Sequence, residues 1–232
     1  LGVLAQGIAE GRRTYANIMK YVRMGTSSNF GNMLSMALAS MVLPFLPLNP
    51  LQILVNNMLY DLSEVGIPFD EADPGDLAGP QQWDMRAVLR FTLVMGPLSS
   101  LFDAATFAML LGVFGAGVEM FRTAWFVESI LTQILVIFVI RTAAPCWRSR
   151  PHRFLVFTSL GALAAALILA LTPLGHPLGF IALPAPVLLS ILAIAVFYLV
   201  LAELLKPLAM RAGTKRRTHR AAGFLARRTR PF

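Results

Sequence analysis

The stretch LQILVNNMLYDLSEVG, residues 51–66, decides how this chain is read. Most of it is apolar enough to lie in a bilayer, yet Asn56, Asn57 and Asp61 fall near its middle. A charged residue at the centre of a spanning helix costs about 2.5–3.5 kcal/mol on insertion scales. Either the segment does not span, or something inside the membrane compensates these groups.

The surrounding sequence favours spanning. Of 232 residues, 56% are hydrophobic and 14% charged, with a mean hydropathy of +0.66. Soluble domains carry about 25% charge, so the composition is that of a polytopic membrane protein, an all-α bundle. The single cysteine, Cys146, excludes an internal disulfide and argues against a Cys-built metal site. His152, His176 and His219 have no metal-ligand spacing. The chain shows no signal peptide and no initiator Met, which suggests an excised domain or a fragment.

Six spans are expected, at about 27–48, 50–66, 87–115, 124–140, 154–171 and 186–205, each near the ~20 residues a bilayer requires. The third is long enough to tilt, or to kink at Gly96-Pro97. With the N-terminus inside, the inner segments are 1–26, 67–90, 141–153 and 206–232. They hold every Lys and Arg except Arg122. This agrees with the positive-inside rule and places both termini in the cytoplasm. Without the second span the later loops would change sides and the rule would fail, so the polar second segment is expected to cross.

Ahead of the first span, GIAEGRRTYANIMKYVRMGTSSN has helical periodicity, with Tyr15, Ile18, Met19 and Val22 on one face. It reads either as a continuous rod entering the membrane or as an interfacial amphipathic helix. The loop from Asp70 to Asp84 is acidic and turn-rich and has no calcium-loop spacing. The basic tail from Arg211 suits anionic headgroups. It lacks the interleaved aromatics that would stack nucleic-acid bases, so no nucleic-acid partner is expected.

The intramembrane polar groups suggest one site. Asn29 and Asn32 share a face of the first span, and Asn57 and Asp61 share a face of the second. Asp103 lies mid-span in GPLSSLFDAATF, and Glu128 and Gln133 lie in WFVESILTQ. Intramembrane carboxylates face bundle interiors or water-filled cavities. Carboxylates and amide oxygens converging there would suit a hard cation such as Mg²⁺, which takes oxygen ligands and keeps some waters. No Lys or Arg lies at comparable depth. Interhelical glue is the alternative for an isolated Asn or Gln, and stays open for Asn32 and Gln133. Glu64 and Glu203 lie near span ends, where they are expected to reach water.

These residues also carry a resemblance. EGRRTYANIMKYV followed by SSNFGN resembles the stalk and fifth membrane helix of P-type ATPases, and NNMLYDLSEVGIPFD resembles their sixth. QQWDMRAVLRF, GPLSSLFDAATFA and WFVESILTQILVIFVIRT resemble the magnesium-importing P-type ATPases of bacteria. The likeness runs from about Val3 to Arg141 and rests on hydropathy beyond that. It implies metal ligands at Asp61, Asn57, Asn29 and Asn32, with Glu128 near an eighth-helix ligand position and Asp103 in a motif of the magnesium group. It further implies a bacterial inner membrane, Mg²⁺ as the transported ion, and partners in the bilayer and the remaining pump domains.

The departures limit this. The chain has no DKTGT motif, no actuator TGES loop, no nucleotide domain and no counterpart of the first four membrane helices. ATP could act only through those parts. The implied organisation is the end of a phosphorylation domain at 1–9, a stalk helix at 10–26, six membrane helices over 27–205 and a basic tail at 206–232. A stand-alone six-span protein, acting as a passive cation path or as the partner of a split pump, is the alternative. An inactive truncated pump is another.

Overall fold

A computed structural model describes residues 2–79 and 83–210. Among them there is no strand. Seven α-helices follow in order: α1 Gly2–Val42, α2 Pro50–Glu64, α3 Pro74–Leu77, α4 Met85–Gly112, α5 Val118–Ile140, α6 Arg153–Leu171 and α7 Ala185–Met210. The basic tail lies outside the described residues from Arg211 onward, whereas 206–210 complete α7.

α1 is unbroken from Gly2, so no turn separates 1–9 from the helix expected at 10–26. It stops at Val42, earlier than the expected 48. Pro44 and Pro47 follow; proline has no N–H to donate and disfavours helical backbone at the residue before it, and two so close together end the helix. Asn49 then starts α2 with a capping box: Gln52 N–H donates to Asn49 Oδ1 at 2.8 Å, and Asn49 N–H donates to Gln52 Oε1 at 3.1 Å. Pro50 takes the first helical position, where a missing N–H costs nothing. α2 continues without loosening between Asn57 and Asp61. α4 likewise runs through Pro97.

α5 is the centre of the bundle. It is apolar almost all round, and a helix of that kind must be enclosed by others. Phe121, Trp125, Phe126, Ile130, Ile134 and Ile137 are buried, and the Phe107 ring meets Trp125 edge-on at 4.9 Å. α4, α6 and α7 surround it and turn Leu101, Phe157, Leu160, Phe197 and Val200 outward. Four helices, α4 to α7, are long and apolar enough to cross a membrane. α2 has 15 residues, which at about 1.5 Å rise each reach roughly 22 Å, short of a ~30 Å hydrocarbon core unless flanking residues help.

α1 crosses α4 closely because small residues meet there. A Cβ on Gly31 would sit 3.1 Å from Ser99 Cβ, and one on Gly96 would sit 2.5 Å from the Phe30 ring. Ser100 Oγ donates to Gly31 O at 3.0 Å across this crossing. Such close approach and hydrogen bonding hold the two helices together.

Candidate functional site

Beside α1, α2 and α5 lies a cavity of about 320 Å³. Its polar wall is formed by Asn29, Asn32, Asn56, Asn57 and Ser129, with Trp125 as an aromatic panel. Three of the expected ligands thus meet, and Asn56 joins them. Asn56 is 3% exposed and its Oδ1 has no hydrogen-bond partner. A buried carbonyl oxygen without a donor is costly, so this one is available to a ligand.

Asp61 does not line this cavity. It shares the Asn57 face of α2, as the i, i+4 spacing predicts, but that face is exposed. The buried stripe of α2 is a different one: Gln52, Asn56, Tyr60, Ser63 and Glu64. Glu64 is therefore not at the water's edge as expected. It is 2% exposed and accepts a hydrogen bond from the Tyr60 hydroxyl at 2.6 Å. Glu203 is half-buried and accepts from Lys206 Nζ at 2.8 Å.

Asp103 and Glu128 do come together. Asp103 Oδ1 accepts from Trp125 Nε1 at 2.8 Å and Oδ2 from Ser35 Oγ at 2.5 Å. Its carboxyl lies beside that of Glu128, whose Oε2 is buried without a partner. Asp103 thereby ties α1, α4 and α5 and fixes the Trp125 ring that walls the cavity. Gln133 donates from Nε2 to Ser129 Oγ, one turn back on α5. No ion pair reaches Asp61, Asp103 or Glu128 among the described residues. Nor do three of His, Cys, Asp and Glu gather anywhere among them. The convergent cluster of three carboxylates expected from sequence is thus divided: asparagines wall the cavity, two carboxyls stand behind it and Asp61 stands outside.

A second polar cluster, unnoticed in the sequence, sits at the end of the bundle where α2 and α5 finish. Asp70, fully buried, accepts from Lys20 Nζ at 2.9 Å, from Arg141 Nη1 at 2.9 Å and from the His152 N–H at 3.2 Å. Burial works against its charge, yet Lys20, Arg141 and the His152 N–H together hold the carboxyl below its usual range. Asn17 donates to the Pro68 and Asp70 carbonyls, both at 2.9 Å, and Asp73 accepts from Thr142 Oγ1 at 2.8 Å. The acidic loop, through Asp70 and Asp73, thus clamps α1 to the segment after α5. Lys20 and Arg141, counted in the sequence among loop charges, are buried, as is Lys206, which donates to the Val139 and Ala144 carbonyls at the end of α5. The only sequence signal for this cluster was an acidic loop on the same side as the basic residues.

Comparison with known proteins agrees with this architecture. The family described as "Cation transporting ATPase, C-terminus" matches residues 45–208. The chain is 41% identical over 211 residues, 89% of its length, to a magnesium-transporting ATPase, P-type 1, of Salmonella typhimurium, and 40% identical to that of Escherichia coli K12. A calcium-transporting ATPase of Bacillus subtilis is 26% identical over 75% of the chain. The chain spans about a quarter of the length of the magnesium-transporting relatives, 23% and 24%. With a matching region that takes in Asn56 and Asn57 of the cavity wall, Asp103 and Glu128, and the helices from α2 to all but the last two residues of α7, the chain belongs to the family of cation-transporting ATPase C-terminal regions.

Proposed function

We propose that this chain is the C-terminal membrane region of a bacterial magnesium-transporting P-type ATPase. It crosses the inner membrane six times with both termini cytoplasmic, and its asparagine-walled cavity forms part of the route of Mg²⁺. The observation that carries this reading is the cavity itself: four asparagine amides, one with its oxygen buried and without a donor, around a space of about 320 Å³. One water needs about 10–15 Å³ of such centre-accessible space, so the cavity has room for a hydrated ion. Mg²⁺ sheds its waters reluctantly and suits a site that offers few direct ligands.

The donor set fits that ion. Neutral amide oxygens from Asn29, Asn32, Asn56 and Asn57 can accept hydrogen bonds from its shell or replace individual waters. Charge comes from Asp61, outside the cavity and one turn beyond Asn57, and from Glu128, behind the cavity wall with a free Oε2. Asp103 is a positioning residue in this scheme, since Trp125 and Ser35 already engage it. The outward face carrying Asp61 also carries Leu54, Met58 and Leu62, a surface suited to further helices of a longer pump. ATP hydrolysis belongs to the parts of the relatives that this chain does not match, with α1 as the mechanical link.

The test is the Asp61→Asn substitution in the intact parent pump, read as Mg²⁺-stimulated ATP hydrolysis. Stimulation should be lost. Stimulation that survives unchanged removes Asp61 from the ion's path and the proposal with it.

A further inference from the structure

We propose that a single water molecule is bound between α1, α4, α5 and α7, in a second, smaller cavity that is separate from the candidate ion route. It lies about one helical turn toward the N-terminal end of α1 and the C-terminal end of α5. Ser27, Ser28, Ser99, Gln133 and Tyr198 give it polar walls, and Met95 forms part of the apolar remainder. The space open to the centre of a water molecule is about 10 Å³, which matches the ~10–15 Å³ that one water needs.

Gln133 requires such a partner. It is 3% exposed, Nε2 donates to Ser129 Oγ, and Oε1 has no partner. Turning the amide over does not help. Ser129 would then donate to the oxygen, and the nitrogen would be left alone. A buried polar atom facing a polar space of one-water size is the setting in which proteins retain internal water, whereas empty cavities are apolar.

The other walls supply the remaining bonds. Ser28, Ser99 and Tyr198 bring their hydroxyls to the same wall. Ser27 Oγ donates to Met24 O at 3.1 Å and keeps its lone pairs. A water donating to Gln133 Oε1 and to a serine oxygen, and accepting from Tyr198, completes three bonds. It joins α1, α4, α5 and α7 at one point of the bundle. A bare cation is disfavoured, because the walls offer only neutral oxygens and a small space. The inference stands whether or not the larger cavity takes Mg²⁺.

Radiolytic labelling of the full chain in lipid nanodiscs, in H₂¹⁸O, tests it. Hydroxyl radicals formed from bound water mark adjacent side chains even when these are buried. Met95 is 3% exposed and lines the cavity, whereas Met24 is 1% exposed and does not. Met95 should take up ¹⁸O several-fold more than Met24, and Gln133→Leu, which removes the orphaned amide and fills space, should bring the two level. Equal labelling in the wild-type chain overturns the proposal, and this ratio decides even where Gln133→Leu fails to fold. A Met95 signal that changes when Na⁺ and K⁺ are replaced by choline identifies an ion instead and also overturns it.

Discussion

Asp70→Asn is the most informative single substitution outside the membrane. It preserves shape and removes the one negative charge that Lys20 and Arg141 share. Their side chains are 7% and 1% exposed, and Asp70 itself has no exposure. Removing one partner of a buried ion pair costs about 3–5 kcal/mol, because the other charge stays buried without compensation. Here Lys20 retains the Glu71 carbonyl and Arg141 retains Ser149, so the lower end, about 3 kcal/mol, is expected. An exposed pair would give at most about 1 kcal/mol. Equilibrium unfolding in mixed micelles, followed by circular dichroism, separates these outcomes. Adding Lys20→Met should recover part of the loss, as coupled residues do. The pH dependence adds a second reading. The folded carboxyl is held below its usual range, mainly by Lys20 and Arg141 acting against burial. It therefore contributes stability that is fully present above an unfolded Asp value of about 3.9 and is lost as pH falls through the folded value. The wild-type chain should weaken below about pH 4, and Asp70→Asn should lack that component. A substitution costing under about 1 kcal/mol, with an unchanged acid profile, would refute the reasoning.

Asp103→Asn should be mild, because an amide oxygen still accepts from Trp125 and the Ser35 hydroxyl can turn to accept. Asp103→Ala should cost about 2–4 kcal/mol by orphaning the Trp125 N–H and opening a void, and equal stabilities of the two variants would contradict the clamp. Gly66→Ala places a Cβ 2.4 Å from Leu155 Cα, a backbone atom that cannot swing away. It should cost about 3 kcal/mol or more by forcing α2 from α6, whereas Gly161→Ala, with open space, should be neutral or slightly stabilising in the same unfolding assay. Gln52→Leu should loosen the turn before α2, since it removes both a capping bond and the Leu178 contact at 3.1 Å. Faster protease cleavage near residues 43–49 would register this, and unchanged cleavage would count against the cap.

Much of this protein was legible in its sequence. Apolar runs of spanning length announced α4 to α7, and the second span was expected from residue 50, where α2 begins. The spacing of Asn57 and Asp61 put them on one face, and the motifs around Asp103 and Glu128 pointed to the family. These are local properties, set by helical period and by the cost of polar groups in lipid. What the linear order could not settle is which polar stripe of α2 turns inward. Gln52–Asn56–Tyr60 and Asn57–Asp61 are equally good helical faces, and only packing against α5 and α6 buries the first and exposes the second. The same holds for Lys20, Asp70 and Arg141, whose meeting joins residues 50 and 71 positions apart. Their burial turns charges that read as solvated into a clamp. Tertiary structure decided these points because desolvation and pairing depend on what lies across the bundle, and no periodicity within one helix carries that information.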